Sequence, residues 1–143
     1  MTDLLYSRPY AVYEITSGSI VQTGTALETE LDMQAIGWGE AYAVYAGEAD
    51  RAMQYILAGE PVSRPAQATA IDKTIINADG VDVATITGAP TDAIFTAVNL
   101  TTGDGASGSI GETDGFSSAV AGTIVLTISK WPYLDWSVAV EAI

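Results

Sequence analysis

The stretch Lys130-Trp131-Pro132-Tyr133-Leu134-Asp135-Trp136-Ser137-Val138-Ala139-Val140 limits what this chain can become more than any other. It holds two of the three tryptophans, with a tyrosine and a leucine packed around a proline. It then alternates. Trp136, Val138, Val140 and Ala142 fall on one side of an extended chain, and Ser137, Ala139 and Glu141 on the other, the period-two pattern of a half-buried strand. Pro132 lacks a backbone donor and fixes its own φ, so it suits the corner before the strand rather than its interior. So apolar a segment reads as the closing strand of a β domain with an aromatic anchor, in preference to a ligand-stacking pair.

The same texture runs back along the chain. Residues 1–9 read as an N-terminal arm ending at Pro9. Tyr10 to Thr16 reads as a strand, Ser17-Gly18-Ser19 as a turn and Ile20 to Gly24 as the returning strand. Leu27, Leu31 and Ala35 recur every four residues among Glu28, Glu30 and Asp32, which suggests one short amphipathic helix broken by Gly37-Trp38-Gly39. Ala41 to Ala46 is a strand with Tyr42 and Val44 on one face and Tyr45 on the other. Gln54 to Leu57, a turn at Ala58-Gly59 and Glu60 to Val62 form a second hairpin. Residues 10–65 therefore read as a small antiparallel β unit, packed in large part by Tyr13, Tyr42, Tyr45 and Tyr55.

Ser63 to Ala68 reads as a linker, because it has Pro65, small residues and no bulky apolar side chain. Residues 66–143 carry turn signals at intervals of about ten residues, the spacing of an all-β sandwich. Ile71 to Ile76 is a strand pair or a kinked strand, and Asn77-Ala78-Asp79-Gly80 a turn in which Asp79 bonds the backbone ahead. Strands follow at Val81 to Thr87 and Ala93 to Val98. Residues 99–118, punctuated by Gly103, Asp104, Gly105, Gly108, Gly111, Asp114 and Gly115, are expected to form loops with at most short edge strands. Ser118 to Ser129 is a strong strand with Val120, Gly122, Ile124, Leu126 and Ile128 on one face and a bulge expected at Gly122. The fold class is mainly β: a small N-terminal antiparallel unit followed by an Ig-like β-sandwich without its disulfide.

The residues that are missing narrow the chemistry. There is no cysteine and no histidine, so thiolate chemistry, Ser-His and Cys-His arrangements and the usual zinc ligands are all excluded. Five basic residues against 18 acidic ones give a net charge of -13. Dispersed negative charge repels phosphate backbones and anionic lipid surfaces, so neither nucleic acid nor membrane is expected as a partner. Met1-Thr2-Asp3-Leu4-Leu5-Tyr6 is acidic where a signal peptide is basic, and no apolar run approaches a membrane span. A soluble protein made without a secretion signal is expected.

Of the carboxylates, Asp79/Asp82 and Asp104/Asp114 come nearest to clusters. Glycosidase chemistry needs two carboxyls facing each other across a cleft, and turn-borne aspartates on a small sandwich give no reason to expect one. A Ca²⁺ site on the Gly-rich loops is the stronger rival, but Asp104-Gly105-Ala106-Ser107-Gly108 lacks the alternating ligands of an EF-hand. Lys73 and Lys130 are expected to be solvated. Gly103 to Gly111 has no following Lys-Ser/Thr and so is no phosphate loop. Neither a catalytic constellation nor a cofactor is expected, and the chain reads as a non-enzyme.

Ile76-Asn77-Ala78-Asp79-Gly80-Val81-Asp82-Val83-Ala84-Thr85-Ile86-Thr87-Gly88-Ala89-Pro90, followed by Trp131-Pro132-Tyr133-Leu134-Asp135-Trp136-Ser137-Val138, resembles the small β-rich structural proteins of tailed bacteriophages. In many of those the first pattern opens an Ig-like domain, and the Pro-Tyr-Leu-Asp-Trp run precedes its last strand. The front half resembles them loosely, through the hairpin around Gly18 and through Gly47-Glu48-Ala49-Asp50, Tyr55, Gly59-Glu60-Pro61-Val62 and Arg64-Pro65. The resemblance spans most of residues 10–142 and fails over residues 91–118, where no family pattern is present.

The resemblance implies a virion component, made in the host cytoplasm, and most often a tail-type protein. Its expected partners are other virion proteins and further copies of itself, met through strand edges and apolar patches. A tail or tail-tip/fibre position is the first expectation and a capsid-surface cement or decoration protein the second. The contact residues expected are Leu4, Leu5 and Tyr6 in the arm, together with Trp38. The reading from another class is an Ig-like module that binds a host-surface sugar or protein through residues 99–118, where Phe116 is the one aromatic.

Overall fold

In a computed structural model that describes residues 6–143, the chain is mainly β and β-sandwich-like. It divides into two compact units, Met1–Arg64 and Pro65–Ile143.

The first unit is built on strand β1 (Ser7–Glu14), which lies between β2 (Ile20–Leu27) and β3 (Tyr42–Ala46), both antiparallel to it. A central strand is buried on both faces, and the two sides of β1 serve two small cores. Tyr10 and Val12 join Leu31 and Ala35, with Tyr42 and Val44 against them. Ala11 joins Ile20 and Ile56, with Tyr13 and Tyr45 against them. Ile56 comes from the hairpin of β4 (Gln54–Leu57) and β5 (Glu60–Ser63). Gly18 makes its approach possible: at φ +75°, a Cβ there would lie 2.1 Å from the Ile56 carbonyl oxygen, a distance no side chain tolerates.

Two expectations change in this unit. Ser7, Arg8 and Pro9 are not arm but the first residues of β1, paired with Leu27, Ala26 and Thr25. Pro9 fits because the β3 ladder starts only at Tyr10, so the missing N–H costs no hydrogen bond on that side. The single helix expected over 27–35 is instead two 3₁₀ turns, Glu28–Glu30 and Asp32–Ala35. Neither turn has a side-chain cap, and a segment this short lacks the length that helix cooperativity needs. Leu31 and Ala35 are still the buried pair.

The second unit is a sandwich. One sheet runs in the order β10 (Gly105–Ser109), β9 (Ile94–Asn99), β12 (Gly122–Ser129), β13 (Trp136–Ala142), β7 (Ile75–Ile76). The other runs β11 (Thr113–Phe116), β8 (Ala84–Thr87), β6 (Ala70–Ile71). All ladders are antiparallel except β7 with β13. The arrangement is β-sandwich-like, with the unit's first segment contributing to both sheets. The core between the sheets joins Ile76, Ala84 and Ile86 to Ile124, Leu126, Ile128, Val140 and Ala142. These are the inward positions of the alternating strands.

The closing strand covers Trp136–Ala142, with Val140 and Ala142 buried and Ser137, Ala139 and Glu141 exposed. Its corner is held from an unexpected quarter. The Gln67 side-chain amide donates to the Ile128 and Leu134 carbonyls at 2.7 and 2.9 Å, and the Leu134 N–H donates to the Pro65 carbonyl at 2.8 Å. From Pro65 onward the expected linker is therefore bound into the sandwich. Ala70–Ile71 and Ile75–Ile76 are neither one strand nor a pair, since they belong to different sheets.

The strand expected from Val81 begins at Ala84, because Asp79 and Asp82 tie residues 77–82 into a turn. The strand expected from Ser118 begins at Gly122, and Gly122 pairs in register with Ala142 rather than forming a bulge. Glycine is needed there for another reason: at φ +143°, a Cβ would lie 2.5 Å from Asn99 Oδ1. Residues 99–118 do form short edge strands, one at the end of each sheet.

Candidate functional site

The acidic turn is the place to look for chemistry, and its groups are already committed to structure. Asp79 Oδ1 accepts from the N–H groups of Val81 and Asp82 at 2.8 and 2.9 Å. The N–H groups of Asp82 and Val81 accordingly hold the Asp79 carboxyl below the usual carboxylate value. Asp82 accepts from Lys73 Nζ and from the Asn77 N–H, and the Lys73 hydrogen bond is the main reason its carboxyl lies low as well. Lys73, expected to be solvated, keeps a solvent-exposed side chain and is also the ion-pair partner of Asp82, and that bond raises its ammonium above the usual value. A general acid must keep its proton near neutral pH. Both aspartates are pushed the other way.

Asp114, the other candidate, accepts from the Gly115 N–H at 2.9 Å, which is turn chemistry. Among the described residues no group of three or more Asp or Glu is placed to hold a metal ion. No described helix is long and apolar enough to cross a membrane.

The surfaces are more informative. In the first unit the 3₁₀ turns send Leu31 and Ala35 inward and leave Met33 and Ile36 60% and 73% exposed. Three residues per turn stack positions i and i+3, so these two share one face. Trp38 follows, 44% exposed yet fixed in place. Its indole N–H donates to Gln22 Oε1 at 3.0 Å, Gln22 Nε2 donates to the Tyr10 hydroxyl at 2.6 Å, and the Tyr42 ring centroid is 5.5 Å away. A shallow hollow of about 330 Å³ beside them includes Ile36 and Tyr42 together with Asp32 and Glu40. The result is an apolar patch with an acidic rim. A larger open groove of about 780 Å³ runs past Tyr10, Thr23 and residues 48–52, where Asp50 is used to cap the N–H groups of Ala52 and Met53.

In the second unit the outward face of the five-stranded sheet follows from register. Gly105, Val98, Val125 and Ala139 form one row across four strands, and Ser107, Thr96, Thr127 and Ser137 form the next. Ile94 and Ser129 continue the pattern on the third row. The single charge on the face is Glu141, which accepts from Thr123 Oγ1 at 2.8 Å. In a chain of net charge -13, this face carries that one carboxylate and no aromatic side chain.

The expected contact residues fall in different places. Leu4 and Leu5 lie outside the described residues. Tyr6 is 61% exposed, and its carbonyl accepts from the Glu28 N–H at 2.9 Å, at the start of the segment that ends in Trp38. Phe116 lies in the other unit, half-buried against the core with its ring 6.2 Å from Phe95. Sequence reasoning did not single out Met33 and Ile36, although a helix that buries Leu27, Leu31 and Ala35 also turns them to the opposite side. It also missed the sparsely charged sheet face, which no single segment contains. Compared with known proteins, the chain matches no family model, no curated protein and no solved structure.

Proposed function

We propose that this chain is a non-enzymatic structural component of a tailed-phage virion, a tail or tail-tip protein that assembles in multiple copies. The observation that carries the assembly part is the outward face of the β10-β9-β12-β13 sheet, where Glu141 is the single charge. A solvated sheet face in an acidic protein ordinarily carries its share of the charge; one built of Gly, Ala, Val, Ile, Ser and Thr with the single carboxylate of Glu141 suits contact with another protein surface. The Met33, Ile36 and Trp38 patch adds a second such surface in the first unit. Support for the phage setting comes from the resemblance at Ile76–Pro90 and Trp131–Val138.

The test is the copy number of the chain in purified particles, by quantitative mass spectrometry against the major capsid protein. A small multiple of three or six is the expected result. Hundreds of copies would move the protein to the capsid surface as a cement or decoration subunit, and absence from particles would end the virion reading.

A further inference from the structure

We infer that β10 is a docking edge for a second copy of this chain, the two β10 strands pairing antiparallel about a two-fold axis at Ser107. This deepens the assembly reading above, and rests on it, by naming the edge and the partner.

β10 is an outer strand of its sheet, and among the described residues no strand lies on its far side. All five of its residues are exposed. The direction of its backbone groups follows from two hydrogen bonds that bracket it. The Asn99 N–H donates to the Asp104 carbonyl at 2.8 Å, and the Ile110 N–H donates to the Ala93 carbonyl at 3.1 Å. Bonded pairs alternate along an antiparallel ladder, so Ala106 and Gly108 face β9. Gly105, Ser107 and Ser109 then send their N–H and C=O groups out of the sheet.

Natural edges are usually blocked by a lysine, a proline, a bulge or an inward charge. This one has none of them. From Gly105 to Gly111 there is no charged residue and no proline, and the register with β9 runs unbroken from Gly105 to Ser109. The side chains beside the outward groups are a hydrogen and two hydroxymethyls, which leave a neighbouring strand free to reach the usual spacing of about 4.8 Å.

Charge and symmetry select the occupant. The outward set is symmetric about Ser107, so a two-fold axis there pairs Ser107 with Ser107 of the second copy and Gly105 with Ser109. Each pair exchanges two N–H···O bonds. In this register Asp104 lies opposite Ile110, and Glu112 opposite Thr102, so no carboxylate meets another. Parallel, in-register pairing sets Asp104 against Asp104. For two chains each of net charge -13, the antiparallel arrangement brings the backbones together where like charges are absent. Each pair of sheets becomes continuous across the two copies.

The absence of cysteine makes the test clean. Bonded antiparallel partners have Cα atoms about 5.5 Å apart, inside the disulfide range of about 4.4–6.8 Å. Ser107→Cys in the full chain should therefore form a covalent dimer under mild oxidation. Ser109→Cys, whose own copy lies four positions away at about 14 Å, should do so at least about tenfold more slowly, at the rate of chance encounter. In the unmodified chain, raising the concentration from micromolar to near-millimolar should slow amide exchange at Gly105, Ser107 and Ser109.

Equal cross-linking of the two variants, or no concentration-dependent protection at those amides, overturns the pairing. The virion reading is decided separately. A chain present in particles but without the Ser107 cross-link loses this inference alone, whereas a cross-linking chain absent from particles keeps the pairing and loses the virion.

Discussion

Leu126→Ala asks directly whether two sheets close over β12. Leu126 is completely buried, beside Ala97 and Val138 across its ladders and in one core with Ile76 of its own sheet and Ala84 and Ile86 of the opposing one. Removing three carbons forfeits about 2.4 kcal/mol at about 0.8 kcal/mol per buried CH₂. The cavity adds to this, because its walls are β-branched side chains on hydrogen-bonded strands that collapse poorly. The expected cost is about 3–4 kcal/mol, within the range for Leu→Ala in packed cores. Val125→Ala, one residue earlier, is the control: its side chain is on the outward face and half-exposed, so two carbons at half burial amount to about 0.8 kcal/mol.

The assay is urea unfolding followed by fluorescence in a Trp38→Phe background. Trp131 and Trp136 then report the second unit alone, which matters because two units need not unfold as one. With an m value of about 1.5 kcal/mol per molar, the midpoint should fall by about 2 M for Leu126→Ala and about 0.5 M for Val125→Ala. Equal shifts, or the reverse order, would mean that the two faces of β12 are not core and solvent, and the sandwich reasoning would fail.

Two further perturbations probe the turns. Asp79 and Asp82 have carboxyls lowered from 3.8 and Lys73 an ammonium raised from 10.5. The carboxyls therefore contribute stability present above their unfolded value and lost as the pH falls through their lowered folded values; Lys73 contributes stability present below its unfolded value and lost as the pH rises through its raised one. The Tm difference between the natural chain and Lys73→Met should accordingly be largest across the plateau between those limits and shrink at both ends, as Tm measured against pH will show. Asn99→Ala removes the acceptor of the Thr101 and Thr102 N–H groups and the donor to the Ala121 carbonyl. It should cost about 1–3 kcal/mol and speed amide exchange at Thr101 and Thr102; unchanged exchange there would show that the side chain does not hold the turn.

Several elements were legible in the chain because their signals are local. The alternation from Trp136 to Ala142 identifies its own inward face, since the side-chain period of an extended chain is two whatever it pairs with. Asp79 and Gly18 announce their turns for similarly local reasons. For 99–118 the glycines and aspartates pointed to loops with at most short edge strands, and two short edge strands are what forms. By contrast, the helical reading of 27–35 failed because recurrence every four residues says which side chains are buried, not whether the backbone between them is α or 3₁₀. The same pattern put Leu31 and Ala35 inside correctly and, followed through at about 100° per residue, turns Met33 and Ile36 outward.

What tertiary structure alone decided is who lies beside whom. Ala70–Ile71 and Ile75–Ile76 sit in different sheets because β8 and β13 are where they are, and nothing between residues 70 and 76 encodes that. Gln67 acquires its role from the carbonyls of Ile128 and Leu134, more than sixty positions away. The sparsely charged sheet face is the clearest case. Gly105, Val98, Val125 and Ala139 lie in four separate segments, and they become a surface only when the ladders set them in one row. The sequence by itself determined which residues point inward along each strand, because that is a property of the strand. The surface on which the proposed assembly rests is a property of register, which hydrogen bonds between distant segments decide.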